Sequence, residues 1–218
     1  MAEILKFDDP VMLVGGGEVD QELLQSYSHL PVVAADGGAN LLRRLSIVPS
    51  AVIGDLDSVE DLNHWRKVSK VIALAEQDTT DFEKCLYSID APWFIATGFT
   101  GSRFDHTLAV LHVMQKWHSD KSVYLVSGSD CVCVKSDTVE LQLPVGTRVS
   151  VYPLNRITFA SSSGLTYPLN KLTMQPGKMI GTSNSCSESA ISIVPEDDSG
   201  CFVLIVPVSE LNALIQCK

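Results

Sequence analysis

Short apolar runs alternate with helix-like segments through roughly the first 135 residues. Each run has only three or four residues and ends in a glycine or a polar cluster. Nearly continuous apolar strands that alternate with helices are typical of a parallel sheet covered on both faces. The pattern therefore predicts an α/β domain over residues 1–135, a Rossmann-like parallel sheet with helices on both faces. Its strands are predicted at residues 11–14, 32–35, 51–53, 71–74, 93–96 and 123–126.

The polar segments between these runs predict the helices. Two are strongly amphipathic: one begins near Asp81, and a later one is marked by apolar residues that recur every three positions. The helices are predicted at about residues 18–29, 41–45, 59–67, from 81 onward (Phe82, Leu86, Ile89) and around Leu108, Leu111, Met114 and Trp117.

From residue 136 the pattern changes to short strands separated by turns. Alternating apolar and polar positions are visible at residues 139–143 and 190–194, and turn residues recur about every ten positions. No long helical pattern remains, which favours an all-β sandwich or roll, and we expect a sandwich. We therefore expect a second domain over residues 136–218.

Composition and charge narrow the function classes. The formal net charge of −10 argues against nucleic-acid binding. The longest apolar runs, such as residues 202–208, are too short to span a bilayer, so we expect no membrane partner. The first ten residues do not resemble a secretory signal, and the six cysteines are scattered as expected for reduced thiols. These features favour a cytoplasmic protein.

Candidate chemistry collects where the predicted strands end. In an open parallel sheet, ligands bind outside the carboxyl ends of the strands. Five strands in succession carry glycine, acidic or hydroxyl residues at this position, which favours a functional crevice. The segments are 15–17, 36–40, 54–58, 78–81 and 97–106.

The glycine segments suit phosphate groups. Gly16 and Gly37 lie in loops whose backbone N–H groups are expected to be free to approach an anion. Thr79 and Thr80 add hydroxyls at a helix start, and Lys84 adds an ammonium one turn later. A simple helix cap for the threonines and a solvated surface role for Lys84 are the alternatives.

The acidic residues predict a metal ion between protein and phosphates. Two carboxylates about 4 Å apart repel by roughly 4 kcal/mol at an effective dielectric near 20. Asp55 and Asp57 alternate along a segment that we expect to be extended, so both would point into one space. A polar strand-to-helix turn with a helix N-cap is the alternative. Mg²⁺ takes a few carboxylates together with substrate phosphates. The candidate acids are Asp36, Asp55, Asp57, Asp78, Asp81 and Asp105.

Two basic residues complete the predicted site. Arg103 is suited to a bidentate pair with phosphate, and His106 opens the helix that follows. A surface ion pair for Arg103 and a capping or core role for His106 are the alternatives.

Several nucleotide motifs are absent. The sequence contains no G-x-x-x-x-G-K-[ST], so a P-loop kinase is excluded, and the first glycine loop does not complete G-x-G-x-x-G. Asp36 lies where a dinucleotide fold places its ribose-binding acid, which leaves an NAD-type oxidoreductase as an alternative.

Read together, the motifs resemble the thiamin pyrophosphokinase (thiamine diphosphokinase) family. Four motifs match in order and spacing, and the second half of the chain matches through residues 164–169 and 182–184. The four are ADGGAN at 35–40, GDLDS at 54–58, QDTTDFEK at 77–84 and GSRFDH at 101–106.

The resemblance implies an enzyme that transfers the pyrophosphoryl group of ATP to the hydroxyl of thiamine, with Mg²⁺, to give AMP and thiamine diphosphate. It implies an ATP-binding first domain and a second domain that binds thiamine and forms a homodimer, with thiamine at the subunit interface. The implied catalytic residues are Asp55, Asp57, Asp78, Asp81, Arg103 and Asp105, and the implied metal ligands are Asp55, Asp57, Asp78 and Asp105. The implied substrate-binding residues are Gly16, Asp36, Gly37, Asn40, Thr79, Thr80, Lys84, Arg103, His106, Tyr167, Ser183 and Asn184.

Two positions depart from the family pattern. Ser102 replaces the second glycine of a pair, and Glu76 stands where aspartate is common. They motivate a second hypothesis, a catalytically silent nucleotide or thiamine sensor. For Tyr167, expected to stack on the thiamine ring, the alternative is packing in the core.

Overall fold

A six-stranded parallel sheet organises the first half of the chain. The computed structural model describes residues 4–101 and 103–217. The chain divides into two units, Met1–Gly128 and Ser129–Lys218. The mixed α/β character that the pattern predicts is confirmed.

In the first unit, the six strands of this sheet and the five helices follow the predicted order. Its strands are β1 (Leu5–Lys6), β2 (Val11–Val14), β3 (Val32–Ala35), β4 (Ala51–Gly54), β5 (Lys70–Ala73), β6 (Ile89–Asp90), β7 (Phe94–Thr97) and β8 (Val123–Ser127). Its helices are α1 (Gln21–Ser26), α2 (Gly38–Arg44), α3 (Leu62–Val68), α4 (Asp81–Ser88) and α5 (Phe104–Trp117). Two short strands that were not predicted, β1 and β6, pair with each other in parallel.

The sheet order of this unit is β8-β7-β2-β3-β4-β5, and every neighbouring pair is parallel. All residues of β2, β4 and β7 are buried, as the apolar runs require for strands without a solvent-facing side. Because the strands are parallel, the loops that follow them leave the same edge of the sheet. The chain runs outward from β2 through β3 and β4, and β7 then pairs with the other side of β2. This reversal is where such a sheet opens a ligand crevice.

Side-chain caps set where several helices begin. The predicted helix over residues 18–29 is shorter, because the carboxylate of Asp20 accepts hydrogen bonds from the N–H groups of Glu22 (2.9 Å) and Leu23 (3.2 Å) and so starts α1 at Gln21. Thr80 caps α4 in the same way through the N–H of Glu83 (3.2 Å). Ile89, which was expected to continue the apolar face of α4, instead begins β6.

The buried side of α5 differs from the spacing noted in the sequence. Val110, Val113 and Met114 are buried, whereas Leu108 is 52% exposed. A repeat of three residues drifts around a helix that has 3.6 residues per turn, so only part of such a row faces the core.

The strands of the second unit pair in two antiparallel sets of four, and a short C-terminal helix follows them. One set has the order β14-β11-β16-β9 and the other β10-β15-β12-β13. Phe159 on β12 and Phe202 on β16 pack edge to face, with ring centroids 5.4 Å apart. The elements are β9 (Asp130–Lys135), β10 (Val139–Gln142), β11 (Arg148–Pro153), β12 (Ile157–Ser163), β13 (Leu172–Met174), β14 (Gly181–Ser185), β15 (Ala190–Pro195), β16 (Phe202–Pro207) and α6 (Leu211–Ile215).

Among the described residues, no helix is both long enough and apolar enough to cross a membrane.

We expect Gly38→Ala to destabilise the first unit strongly. A Cβ atom at Gly38 would lie 2.0 Å from the carbonyl oxygen of Val14, which belongs to the buried strand β2. Overpacking of this kind costs about 3 kcal/mol of the free energy of unfolding. Urea denaturation measures the loss. Gly16→Ala is the matched control, because its Cβ would meet its nearest atom at 3.5 Å. Equal losses in the two variants would disprove the crowding at Gly38.

Candidate active site

Three carboxylates come together at the carboxyl ends of β3 and β4. Asp36, Asp55 and Asp57 each offer one oxygen, and these oxygens lie within 4.8 Å of one another. We call these three residues the acid group. Among the described residues, neither Asp78 nor Asp105 joins a group of this kind.

The segment that carries Asp55 and Asp57 is a turn, which corrects the expectation of an extended chain. Leu56 has a left-handed backbone with φ of 68°, so the alternation of a strand does not apply beyond Gly54. The turn is held by the N–H of Asp57, which donates to Asp55 Oδ1 (3.3 Å). The hydroxyl of Ser58 donates to Asp57 Oδ1 (2.8 Å). The two carboxylates still reach one space, although by a different backbone path.

Asp36 is the most constrained member of the acid group. It is 6% exposed and has a positive φ of 42°, and its Oδ1 has no hydrogen-bond partner among the described residues. Burial raises the pKa of Asp36, and the negative charges of Asp81 and Asp55 add to this, against the hydrogen bonds from Ser58 and the N–H of Gly37. A buried polar atom without a partner needs an explanation. A cation bound at the acid group would supply one.

The donors fit a hard divalent cation. Carboxylate oxygens are the ligands that Mg²⁺ prefers. The acid group supplies three of them, one from a buried side chain with an oxygen free to bind. Asp57 is exposed and Asp55 is partly exposed, which leaves an open side for substrate oxygens.

Lys84 is buried against the acids. Its side chain is 2% exposed, and its Nζ lies 3.1 Å from Asp81 Oδ1 and 3.8 Å from Asp55 Oδ2. The alternative of a solvated surface lysine is therefore wrong. Lys84 places a positive charge beside the acid group, on the first turn of α4.

Gln77 is a site residue that the sequence reasoning missed. Its side-chain amide donates to Asp55 Oδ2 (3.0 Å), and this hydrogen bond is the largest cause of the lowered pKa of Asp55. The N–H of Asp57 and the charge of Lys84 lower the pKa further, against burial. Gln77 lies within the matched motif, but its contact depends on how the loop after β5 folds back toward β4.

The hydroxyls of Thr79 and Thr80 both form hydrogen bonds within the protein. Thr79 Oγ1 donates to Glu76 Oε1 (2.5 Å), and Thr80 Oγ1 accepts the capping hydrogen bond of α4. The cap predicted as the alternative is thus confirmed for Thr80. Asp78 points its N–H toward Glu76 Oε2 (3.1 Å).

Arg103 and Asp105 form an ion pair beside the start of α5. Arg103 donates to Asp105 through Nε (3.2 Å) and Nη2 (2.6 Å), and both side chains are about two-thirds exposed (65% and 66%). The pair lowers the pKa of Asp105 and raises that of Arg103. His106 donates its backbone N–H to Asp105 Oδ1 (3.0 Å) and is exposed. Ser102 lies outside the described residues.

The glycine loops approach one another closely, but their amides are not all free. The N–H of Gly15 donates to Thr97 (2.9 Å) and that of Gly17 to Gly98 (2.7 Å). The expectation that this loop leaves its N–H groups free is therefore wrong for these two glycines. Gly16 lies beside Gly37, since a Cβ at Gly16 would be 3.5 Å from the carbonyl carbon of Gly37.

Asn40 stabilises the loop after β4, which carries Asp57. Its Nδ2 donates to the backbone oxygen of Ser58 (2.8 Å), and its Oδ1 accepts from the N–H of Glu60 (2.8 Å). Both ends of the amide are therefore used to hold the loop that carries Asp57. The family resemblance implies that Asn40 binds substrate, and in the described contacts Asn40 supports this loop.

In the second unit, Tyr167 and Asn184 contact each other. The side chain of buried Asn184 accepts from the N–H of Tyr167 (3.0 Å) and donates to its carbonyl oxygen (2.7 Å). The Tyr167 side chain is left 67% exposed, so the alternative of core packing is wrong. Ser183 has a positive φ of 61°, and its N–H donates to Ser150 Oγ (2.9 Å).

We expect Asp36→Asn to stabilise the protein at neutral pH. Because the folded-state pKa of Asp36 is raised, the ionised carboxylate costs stability above that pKa, and the cost disappears below the unfolded value of 3.8. Asparagine removes the charge and tolerates the positive φ. The melting temperature should rise by on the order of 2–4 °C at pH 7, and the gain should vanish as the pH falls below 4.

Thermal unfolding at several pH values measures this. Asp197→Asn is the control of opposite sign, because hydrogen bonds from Ser199 lower the pKa of Asp197, so its neutralisation should reduce stability at pH 7. A pH-independent effect of Asp36→Asn would show that burial of its charge is not the cause.

Comparison with known proteins gives one consistent result. The model of the thiamin pyrophosphokinase catalytic domain matches residues 22–126, and that of the thiamin pyrophosphokinase vitamin B1 binding domain matches residues 137–198. Thiamin pyrophosphokinase 1 of Caenorhabditis elegans is 29% identical over 177 residues, which cover 73% of this chain and 72% of the relative. Thiamine pyrophosphokinase 1 of Arabidopsis thaliana is 28% identical over 201 residues, which cover 76% and 74%.

Solved structures share the fold. Thiamin pyrophosphokinase from Candida albicans superimposes with a TM-score of 0.79 at 18% identity, over 94% of this chain and 93% of that one. The enzyme from Geobacillus thermodenitrificans gives a TM-score of 0.77 at 22% identity, over 90% and 96%.

Proposed function

Because the chain belongs to the thiamin pyrophosphokinase family, we propose that its acid group is the centre of a Mg²⁺-dependent transfer of the pyrophosphoryl group from ATP to thiamine. The products are AMP and thiamine diphosphate. The observation that carries the assignment of the site is the meeting of Asp36, Asp55 and Asp57 within 4.8 Å. It lies at the carboxyl ends of parallel strands, where the fold predicts a ligand.

Mg²⁺ would be held by Asp55 and Asp57, with the unpaired Oδ1 of Asp36 as the third protein oxygen. When bound, the ion neutralises phosphate charge and favours attack at phosphorus. Asp78 and Asp105, which the resemblance also implies as ligands, lie outside the acid group. Their metal role stays a prediction.

Basic residues of the first unit would orient the triphosphate. Lys84 is held beside the acids by Asp81 and Asp55, so its charge is fixed in place before substrate arrives. Arg103 presents a guanidinium suited to bidentate phosphate contact, and its exposed pair with Asp105 would be exchanged for that contact. Gly16, Gly37, Thr79, Thr80 and His106 remain predicted contacts of ATP.

In the reaction, the thiamine hydroxyl attacks the β-phosphorus of ATP in line and AMP leaves. Positioning and charge stabilisation supply most of the rate in such transfers. The hydroxyl proton passes to a carboxylate, for which Asp55, Asp57 and Asp78 are the candidates. Thiamine is cationic, which suits a chain of net charge −10.

The second unit would bind thiamine and form a homodimer. The exposed ring of Tyr167 is available for stacking, and the side chain of Asn184 holds the backbone of Tyr167 by two hydrogen bonds. We propose that the first unit is Rossmann-like and binds ATP and Mg²⁺, that the second is a β-sandwich, and that thiamine lies at the subunit interface beside Tyr167, Ser183 and Asn184. A cytoplasmic location stays a prediction.

An AMP-release assay tests the proposed function. Purified protein is incubated with ATP, Mg²⁺ and thiamine, and nucleotides are separated by chromatography. We expect AMP in step with thiamine diphosphate, and no AMP when thiamine is replaced by other small alcohols. ADP as the product, or binding of ATP and thiamine without turnover by folded protein, would contradict the assignment.

A further inference from the structure

Glu76 is the hub of the loop between β5 and α4. Its carboxylate accepts hydrogen bonds from the N–H groups of Asp78 (3.1 Å) and Thr79 (3.2 Å) and from Thr79 Oγ1 (2.5 Å). The phenol of Tyr87 donates a fourth, to Oε1 at 2.7 Å. A single exposed side chain therefore holds two backbone amides and two hydroxyls.

Tyr87 ties this hub to the helix that carries Lys84. Tyr87 lies on α4, eleven residues after Glu76, so the loop is fastened to the body of the helix and not only to its first turn. The hydrogen bonds from Thr79 and Tyr87 lower the pKa of Glu76 to about 2. Burial and the neighbouring carboxylate of Glu76 raise the pKa of Tyr87 to about 12. At neutral pH the Glu76 carboxylate is therefore ionised and the Tyr87 phenol protonated, as their hydrogen bond requires.

The loop that Glu76 holds delivers Gln77 to the acid group. Gln77 is the residue between Glu76 and Asp78, and its amide donates to Asp55 Oδ2 (3.0 Å). Asp55 Oδ1 accepts from Asp57 (3.3 Å), so both oxygens of Asp55 are oriented. Glu76 itself does not touch the acid group in the described contacts, and Gln77 is the link.

We propose that Glu76, anchored by Tyr87, is a positioning residue that sets the orientation of Asp55 through Gln77. This inference rests on the proposed function for its effect on turnover and on the loop geometry alone for its effect on Gln77. Charge-assisted hydrogen bonds to backbone amides are well suited to such a task, and supporting contacts of metal-binding carboxylates strongly affect activity. The residue that departs from the family pattern is thus assigned a defined role.

Glu76→Ala tests the anchor without turnover. By NMR, the amide hydrogens of Asp78 and Thr79 should exchange at least about tenfold faster than in the wild type. The side-chain amide signals of Gln77 should move toward those of a free glutamine. Tyr87→Phe should cause a smaller change in the same signals. Unchanged exchange and an unchanged Gln77 signal in Glu76→Ala would overturn the proposal.

The kinetic test uses a double-mutant cycle with Gln77→Ala. We expect Glu76→Ala to lower kcat about tenfold, with the KM for thiamine changed less than twofold, and Glu76→Gln to recover most of the loss. In the Gln77→Ala background, Glu76→Ala should cause a much smaller loss of kcat than in the wild-type background, because the part of its effect that passes through Gln77 is already gone. Independent, multiplying losses in the double variant would overturn the proposal.

Asp197→Ala is the matched control. Asp197 holds a turn of the second unit by the same kind of contacts, from the N–H (3.0 Å) and the hydroxyl of Ser199. Its loss should speed exchange at Ser199 and leave kcat unchanged. Absence of AMP release by the wild type would refute the proposed function, whereas the NMR measurements decide the role of Glu76 in either case.

Discussion

Asp57→Asn should lower kcat for AMP release by about 10²–10³-fold while the protein stays folded. Asp57 is the exposed member of the acid group, and its side chain accepts a hydrogen bond from the hydroxyl of neighbouring Ser58 (2.8 Å). Asparagine keeps the shape and loses the charge. Since like charges in the acid group repel, the substitution should leave the free energy of unfolding within about 0.5 kcal/mol of the wild type.

Steady-state AMP release and urea denaturation on the same preparation measure the two effects. Asp61→Asn is the matched control. Asp61 is also an exposed carboxylate after β4, but it caps α3 and pairs with Arg43 (2.9 Å). We expect it to affect stability and leave turnover unchanged. A parallel loss of stability and activity in Asp57→Asn would mean that Asp57 is structural.

Lys84→Met should impair both folding and turnover. Removing one partner of a buried ion pair leaves the other charge uncompensated. Because Asp81 and Asp55 are partly exposed (32% and 17%), we expect a loss of about 2 kcal/mol in the free energy of unfolding, below the range for fully buried pairs. kcat should fall by about 10²-fold, since the charge that orients the phosphates is gone.

The double variant Asp81→Asn/Lys84→Met separates the two losses. Asp81 is the nearer partner of Lys84, at 3.1 Å, so neutralising both should restore most of the stability. It should not restore AMP release. Stability changes below about 0.5 kcal/mol in Lys84→Met, as for a surface lysine, would refute the buried ion pair.

The order of the six sheet strands and five helices in the first unit could be predicted because their pattern is local, whereas the two-residue strands β1 and β6 are too short to leave one. Short continuous apolar runs such as β2 are compatible with few structures other than a buried strand. Asp20 and Thr80 start their helices by hydrogen bonds within three residues. The candidate acids could be placed on one edge because parallel strands end there. Helix ends and the buried side of α5 depend on caps and on packing partners that lie elsewhere in the chain.

The internal contacts of the site could not be predicted from spacing. Gln77 reaches an acid 22 residues earlier, and Asn40 reaches Ser58, 18 residues later. Each contact requires two loops to fold toward each other. The left-handed backbone at Leu56 could not be predicted either, because leucine rarely adopts a positive φ. The surrounding hydrogen bonds hold it there.

Anomalous diffraction from crystals containing Mn²⁺ and a non-hydrolysable ATP analogue tests the central claim most directly, because it locates the ion independently of turnover. We predict an anomalous peak in contact with the carboxylates of Asp55 and Asp57, close to the free Oδ1 of Asp36, and its loss in Asp57→Asn. Mn²⁺ bound only elsewhere, with the acid group occupied by protein or water alone, would contradict the account.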